Sequence, residues 1–474
     1  MPRLPFRSLP LLLAASLGAC TSLAPGYQQP ALPVPAQYPP FAPAGGAALE
    51  SDWRNFFRDP QLQALIAQAL QDNRDLRIAV SRVAQARAAY GIEASAQLPA
   101  VAAQAGADRS RVPADLNLTR RPLHASQYQA GVGLASWEFD FWGRVRNLSE
   151  AALQAYLATD AARNAARASL VGQVALAYLD LCDTAQRIAL AERTLASRQQ
   201  TFDMVARRAT LGSSSQLQLA QVETLLIQAR SLLLQLQQER DTQQHALDLL
   251  VGAPVKLPDG GAEISLAAPA AGLPSDLLAQ RPDIIAAEHR LRGANASIGA
   301  ARAAYFPRIA LTGSLGSASA ELDGLFEGGS RAWNFAPGIT LPLFDGNRRR
   351  DQLNLAEARR DEALAAYDKA VQGAFRDVAD ALSALHWLAG QLEVADAAVL
   401  VQQRRARLSQ LRYDSGASSY LDVLDAQRDL LTVEQQQVRT HHALQAARVA
   451  LYLALGGAAG ESSAPSSEHP GLSS

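Results

Sequence analysis

Proline is absent from two long stretches of the chain, residues 123–253 and 343–464. A proline inside a helix removes a backbone hydrogen bond, clashes with the preceding turn and costs about 3 kcal/mol. Two proline-free stretches of this length therefore predict very long helices, roughly over residues 147–211 and 350–414, each followed by a second long helix. Such helices argue against a compact, doubly wound enzyme fold.

Apolar residues recur every seven positions along both predicted helices. One series is Val174, Leu181, Ile188, Leu195 and Phe202, and the other is Val371, Val378, Leu385, Leu392 and Val399. A sustained seven-residue step favours coiled-coil packing. At 1.5 Å per residue, a helix of about 65 residues would run about 95 Å. The alternative is two ordinary helical bundles with loops.

The chain repeats itself at an offset of about 203–208 residues, and the shared offset indicates two copies of one unit. Three of the matching pairs are Arg281-Pro282-Asp283-Ile284 with Asn73-Arg74-Asp75-Leu76, Phe344-Asp345-Gly346 with Phe141-Trp142-Gly143, and Leu250-Val251-Gly252 with Ala454-Leu455-Gly456. We assign the first copy to residues 51–257 and the second to 258–458. In each copy we predict the same order of elements: a helix (60–96 or 280–304), two strands, a long helix, a Gly/Ser break and a second long helix.

Short segments before each long helix alternate between apolar and small or polar residues, which is typical of membrane-barrel strands about 10 residues long. The predicted strands cover residues 98–111, 127–139, 306–317 and 332–344. Four strands cannot close a barrel, and an open edge in lipid would leave backbone groups unpaired. The chain must therefore associate if these strands cross a membrane. The alternative is a soluble hairpin packed on the helices.

The N-terminus resembles an export signal. Arg3 and Arg7 precede an apolar run, and Leu17-Gly18-Ala19-Cys20 resembles the lipobox of bacterial lipoproteins. We expect a signal peptide over 1–19, lipid on Cys20, a Pro-rich tether over 20–50, and a disordered tail over 459–474. An ordinary secretory signal with a chance cysteine is the alternative. No other segment is an uninterrupted apolar run of about 18 residues, so no transmembrane helix is predicted.

Composition and motifs exclude several function classes. The 44 basic and 45 acidic residues give a net charge of −1, without the basic field of a nucleic-acid-binding protein. No H-E-x-x-H, G-x-S-x-G, phosphate loop or metal-spaced His/Cys cluster is present. We therefore predict no enzyme activity, no metal and no cofactor other than the lipid on Cys20.

Two motifs stand out: Ser51-Asp52-Trp53-Arg54-Asn55-Phe56-Phe57 with Asp59-Pro60, and Arg412-Tyr413 with Gly416 and the run Tyr420–Arg428. Together with the lipobox and the duplicated order of elements, they resemble the TolC family of outer-membrane channels, in its lipoprotein branch that serves resistance–nodulation–division efflux pumps. The resemblance implies a mainly helical trimer that shares a 12-stranded outer-membrane barrel and a periplasmic helical tunnel. It also implies a periplasmic adaptor and an inner-membrane, proton-driven transporter as partners.

The resemblance also implies functional residues at the predicted hairpin tips, residues 212–215 and 415–418. Gly212, Ser213, Gly416 and Ala417 would form turns that contact the adaptor. Tyr413, Asp422 and Asp425 would form the periplasmic gate; the i, i+3 spacing of the two acids places them near one helix face. Two positions depart from the family pattern. Gln218 stands where some relatives have an acid that pairs with the tyrosine, and Ser418 stands where relatives often have a charged residue.

The function implied is the passive exit duct of a tripartite efflux pump for small molecules. A duct of a type I protein secretion system is a close alternative, and the W-x-x-F-F motif and lipobox favour the efflux branch. A non-pore periplasmic coiled-coil lipoprotein is the third possibility. The amphipathic strands disfavour it, because a scaffold does not need them.

Overall fold

The computed structural model describes residues 22–35, 38, 52–256, 266 and 281–457. Within this part the chain follows the same order of elements twice. The first copy contains α1 (Trp53–Phe56), α2 (Pro60–Asp72), α3 (Arg74–Ser95), β1 (Val101–Val112), β2 (Leu123–Phe139), α4 (Arg144–Thr210) and α5 (Gln216–Val251). The second contains α6 (Pro282–Ala303), β3 (Arg308–Ser319), a 3₁₀ turn (Asp323–Phe326), β4 (Arg331–Thr340), α7 (Arg348–Asp414) and α8 (Tyr420–Ala454).

The two long helices that the proline gaps predict are present. Helices α4 and α7 each have 67 residues, or about 100 Å at 1.5 Å per residue. The seven-residue apolar series of each helix is buried nearer the N-terminal end of the helix, where Val174 and Val378 are fully buried. Farther along, Phe202 and Val399 are only half-buried in the single chain. The C-terminal halves of both helices therefore retain partly exposed apolar side chains in the single chain.

The single helix predicted over residues 60–96 is two helices, α2 and α3, because buried Asn73 interrupts it. The Asn73 Oδ1 accepts a hydrogen bond from the Leu76 N–H at 2.9 Å and so caps α3. Its Nδ2 donates to the Leu250 carbonyl oxygen at 2.9 Å, at the end of α5. In the second copy Arg281 Nη1 donates to the Ala454 carbonyl oxygen at 2.8 Å. Both copies thus tie the start of a short helix to the end of their helical hairpin.

The four strands form one antiparallel sheet in the order β1-β2-β3-β4. The register places Val101, Leu134 and Gly313 on one face, together with Phe335. This face, called the apolar face, is lined by Val101, Ala103, Ala105, Ala107, Tyr128, Ala130, Val132, Leu134, Ile309, Leu311, Leu315, Trp333, Phe335 and Ile339. The opposite face contains Gln104, Gln129, Ser314 and Asn334 among small residues. The sheet is therefore amphipathic.

Strands β1 and β4 are the edges of this sheet, and each pairs with a single neighbour within the described residues. Every residue of β4 is exposed, including Trp333 at 73% and Ile339 at 71%. Exposed edge strands pair readily with other strands. A sheet with an apolar face and two open edges is therefore expected to pair with strands of another chain.

The chain folds as two compact units, and each takes segments from both sequence copies. The first unit contains the sheet, and its described segments are residues 22–31, 82–160 and 286–368. The second contains the principal hydrophobic cluster, in which Trp53, Phe57, Tyr178 and Tyr452 are almost fully buried.

Helix α7 also contains an 18-residue window with a mean hydropathy of 1.2, apolar enough to cross a membrane by length and composition alone. None of the residues in this window is buried. The same exposure is expected of a helix whose apolar side packs against another chain, so this window does not by itself indicate a transmembrane helix.

The N-terminal segment, residues 22–31, has no helix or strand but is docked on the first unit by specific hydrogen bonds. Ser22 Oγ donates to Asn147 Oδ1 at 2.8 Å, and Asn295 Nδ2 donates to the Pro25 carbonyl oxygen at 2.8 Å. The Tyr27 ring lies under the Arg292 guanidinium at 4.9 Å. The predicted signal peptide 1–19, the predicted lipidation site Cys20 and the predicted tail 459–474 lie outside the described residues.

We predict that Gly299→Ala releases this segment. A Cβ at position 299 would lie 2.5 Å from Asn147 Nδ2 and 2.8 Å from the Ala24 backbone nitrogen. A loss of about 1 kcal/mol would raise the open population roughly fivefold. Chymotrypsin cleavage after Tyr27 should then be about fivefold faster. Gly91→Ala is the control, since nothing lies within 4 Å of a Cβ there; equal cleavage rates in both variants would contradict the prediction.

We also predict a pH-dependent contribution from His442. Its Nε2 lies 2.9 Å from Asp180 Oδ1, and this contact raises the pKa of His442. Because the folded pKa is raised, the stabilisation is complete below the unfolded pKa of about 6.5 and is lost as the pH rises through the folded value. The melting temperature difference between the parent protein and His442→Asn should therefore be larger at about pH 5.5 than at about pH 8.5. A melting temperature difference that is the same at both pH values would contradict the prediction.

Candidate functional site at the helical hairpin tips

The two helical hairpins turn at glycines with the same geometry. Gly212 and Gly416 both have φ near 74°, a conformation that favours glycine. The Ser213 N–H donates to the Arg208 carbonyl oxygen at 2.9 Å, and the Ala417 N–H donates to the Arg412 carbonyl oxygen at 2.8 Å. With the i, i−3 bonds of the glycines, these contacts form a Schellman motif at each tip. Nothing lies within 4 Å of a Cβ at either glycine, so backbone conformation alone selects it.

The helices that leave the two tips are capped differently. Ser215 Oγ accepts the Gln218 N–H at 3.1 Å and caps α5, whereas Ser419, the equivalent residue before α8, makes no side-chain cap bond. Ser418 Oγ is buried and has no partner among the described residues. The second tip is therefore the less well satisfied of the two, because buried hydroxyls normally find a partner.

A small apolar cluster holds the two hairpins together just above the tips. Its buried members are Val205, Val222, Tyr420, Val423 and Leu424, and Phe202, Leu219, Leu225 and Tyr413 pack against them. The cluster draws on α4, α5, α7 and α8. Its small size contrasts with the larger core of the second unit. Few buried contacts mark a region that can rearrange locally.

Tyr413, predicted as a gate residue, bridges the two hairpins. Its hydroxyl accepts a hydrogen bond from Arg208 Nη1 of α4 at 2.8 Å. Its ring lies 4.8 Å from the ring of Tyr420 at a tilted angle. Burial raises the pKa of Tyr420. Arg208 was not predicted from the sequence, because nothing in its local pattern separates it from the neighbouring Arg207.

Among the described residues, Gln218 makes no hydrogen bond with Tyr413. Its Oε1 accepts a hydrogen bond from Ser214 Oγ at 2.8 Å, within its own turn. The position expected to differ from the family pattern is thus used to order the first tip, and Arg208 takes the tyrosine hydroxyl instead.

The two acids predicted to line the gate differ in their surroundings. Asp422 is exposed, and its carboxylate makes no hydrogen bond or ion pair with the described residues. Asp425 is half-buried, and its Oδ1 lies 3.4 Å from Arg428 Nη2. Asp422 is therefore the acid whose charge is available, while the charge of Asp425 is partly neutralised in its own helix.

Sequence reasoning missed two further contacts near the tips. Arg198 of α4 is buried, and its Nη1 donates to Gln427 Oε1 of α8 at 2.7 Å; burial lowers its pKa. Arg405 Nη1 of α7 lies 2.8 Å from Asp429 Oδ2 of α8, and this pairing lowers the pKa of Asp429. The first contact joins the two hairpins and the second stiffens one of them.

The tip region therefore combines side-chain contacts between the two helical hairpins with one exposed, unpaired carboxylate, that of Asp422, among the described residues. Within the described residues, no group of three or more His, Cys, Asp or Glu side chains is placed to hold a metal ion. Two hydrogen bonds hold the hairpins together: Arg208 and Arg198 of α4 donate to Tyr413 and Gln427 of the second hairpin.

Comparison with known proteins gives the family. The outer membrane efflux protein family matches residues 65–253 and 273–457, once for each sequence copy. The outer membrane protein OprJ of Pseudomonas aeruginosa is 43% identical over 464 residues, covering 94% of this chain and 95% of that protein. The solvent efflux pump outer membrane protein SrpC of Pseudomonas putida is 42% identical, covering 95% and 98%.

A solved structure supports the same assignment. The open state of the MtrE outer membrane channel of Neisseria gonorrhoeae matches with a TM-score of 0.83 and 36% identity, over 93% of this chain and 99% of that one. The family resemblance and the mainly helical fold with a strand sheet are thereby confirmed. The chain belongs to the outer membrane efflux protein family and is the outer-membrane channel of an efflux pump.

Proposed function

We propose that three copies of this chain form one passive exit duct for small molecules, without catalysis of their own. The observation that carries the proposal is the amphipathic four-stranded sheet with open edges at β1 and β4. An unpaired edge in hydrocarbon costs several kcal/mol for each unsatisfied group. Pairing β4 of one copy with β1 of the next removes every edge. Three copies give twelve strands, the number that the family resemblance implies.

The two faces of the sheet suit this assembly. The apolar face would contact lipid, as expected for a barrel exterior. The opposite face, with Gln104, Gln129, Ser314 and Asn334, would line a water-filled lumen. A polar, wide lumen selects weakly among solutes, so the cargo would be chosen by the inner-membrane, proton-driven transporter. The periplasmic adaptor would join that transporter to the channel.

Lipid on Cys20 fits the docking of the N-terminal segment. Ser22, two residues later, is bonded to Asn147 in the first turns of α4, shortly after β2 ends. Ser22 therefore lies near the end of the sheet from which the helices leave. An acyl anchor there would enter the inner leaflet of the outer membrane beside the barrel.

The gate would lie at the hairpin tips. The Tyr413–Arg208 and Arg198–Gln427 contacts would hold the second hairpin against the first in the closed state. Around a threefold axis, three Asp422 carboxylates would form an acidic ring, which attracts cations and hinders anions. The turns at Gly212, Ser213, Gly416 and Ala417 would contact the adaptor.

Bilayer recordings on the purified protein test this function. We expect a trimeric mass in mild detergent and cation-selective pores. Asp422→Asn should lower the cation-over-anion permeability ratio about twofold or more, because it removes one charge per copy from the ring. Asp422→Asn with Asp425→Asn should lower the ratio by only a smaller further step, since Arg428 partly neutralises Asp425.

Asp75→Asn is the matched control, an exposed acid in the first turn of α3. It should leave selectivity unchanged. A protein that stays monomeric and gives no conductance would contradict the duct. Normal pores whose selectivity ignores Asp422 would contradict the gate assignment alone.

Tyr413→Phe should weaken closure. It removes the acceptor for Arg208, a contact on the partly exposed tip with a net contribution of about 1 kcal/mol. The closed-to-open equilibrium should shift roughly fivefold, seen as a larger open probability in single-channel records. Tyr90→Phe on α3 removes a hydroxyl that makes no hydrogen bond within the described residues, and it should leave the records unchanged. Unaltered gating in Tyr413→Phe would show that the contact is not part of the latch.

A further inference from the structure

Three arginines continue the apolar face of the sheet beyond its apolar residues. On β1 the odd-numbered residues Val101 to Ala107 point to this face, and Arg109 and Arg111 are the next two in the same series. On β4, Arg331 precedes Trp333 in the corresponding series. Because side chains alternate strictly along a strand, these arginines face the same side as the residues assigned to lipid.

Arg109 and Arg111 lie at the hairpin end of the sheet. Arg109 is opposite Ser126 in the register, and β2 runs thirteen residues from there to Phe139 at the helical end. At about 3.3 Å per residue this is about 43 Å along the strand. With a barrel tilt of about 40° the height is about 33 Å, more than the apolar band of about 25 Å. Arg109 and Arg111 therefore lie past the hydrocarbon, at the outer headgroup level.

These guanidinium groups are not used by the chain itself. All three arginines are exposed, and none makes an ion pair or side-chain hydrogen bond with the described residues. Many arginines elsewhere in the chain do have carboxylate partners, for example Arg144 and Arg308, which both lie 2.7 Å from Glu138 at the helical end of the sheet.

Barrel closure puts the three arginines on the two strands of one junction. Strand β1 ends at the hairpin end of the sheet and β4 begins there. Pairing β4 with β1 of the next chain is then antiparallel, and the strand that carries Arg331 of one chain adjoins the strand that carries Arg109 and Arg111 of its neighbour. Each junction between copies would carry three cations on the lipid-facing side.

We propose that these junctions bind the phosphate groups of lipopolysaccharide, the phosphorylated lipid of the outer leaflet. Arginine forms bidentate, charge-assisted hydrogen bonds with phosphate oxygens, and clustered basic residues at a membrane surface attract anionic headgroups. The site rests on the proposed trimeric barrel, because a single copy presents only part of the cluster. Lipid bound there would bridge neighbouring copies.

Native mass spectrometry of the purified trimer with bisphosphorylated lipid A tests the site. We expect the parent protein to retain lipid A, and Arg109→Gln with Arg111→Gln to retain at least about tenfold less at equal lipid concentration, because each junction loses two of its three cations. Arg331→Gln should also reduce retention. The control is Arg120→Gln with Arg121→Gln, which removes the same charge from the β1–β2 turn, away from the strand face, and should bind normally. Dephosphorylated lipid A should bind weakly to every variant.

Several results would overturn the site. Equal losses in the strand and turn variants would indicate a diffuse charge effect, and displacement of lipid A by millimolar inorganic phosphate would indicate a simple anion site. Unchanged lipid binding with a lowered melting temperature would indicate that the arginines pair with acids of the neighbouring copy. Pore recordings on each variant separate this site from the duct: an intact pore without lipid binding rejects only the lipid site.

Discussion

The pairing of backbone groups in a medium without water is the constraint on which the structure depends. Each strand of the sheet can satisfy its own N–H and C=O groups only through a neighbour. Strands β1 and β4 have one neighbour each, so the chain is complete only in an assembly. The same constraint explains the duplication. Each sequence copy supplies one β-hairpin, and every strand after the first runs antiparallel to the one before it. A ring of such strand pairs therefore closes without a mismatch in strand direction.

The two sequence copies share the geometry of their turns but differ in how the helices after the turns are capped. The tip turns of both copies use the same Schellman geometry, at glycines with the same φ, and both hairpin ends are tied to a short helix by a side chain that donates to a terminal carbonyl oxygen. The copies diverge where the helices leave the tips. The first tip has Ser215 as a cap and Gln218 held by Ser214, whereas the second has an uncapped helix and an unsatisfied Ser418 hydroxyl. A well-ordered first tip beside a less satisfied second one favours movement of the second.

Features set by local pattern could be predicted from the sequence, and features set by distant contacts could not. The proline gaps and alternating apolar residues located α4, α7 and all four strands to within a few residues. The break at Asn73 was missed because its cause is a carbonyl 177 residues away. Arg208 and Arg198 were missed for the same reason, since their partners lie on the other hairpin. The placement of residues 22–31 depends on Asn147 and Asn295, which no local pattern connects to Ser22 or Pro25.

The net charge of the chain likewise does not reveal where the charged residues lie in the fold. A balance of 44 basic against 45 acidic residues excludes a nucleic-acid-binding protein, and it suggests a surface without strong electrostatic character. The register shows that the balance is a sum of segregated parts. Arginines collect beyond the apolar face at one end of the sheet, a compact Glu138 network lies at the other, and an available carboxylate sits at the second hairpin tip. Fields near a surface fall off within about 10 Å at ordinary salt. Each of these regions therefore acts on what passes or binds nearby, and the total charge has no bearing on any of them.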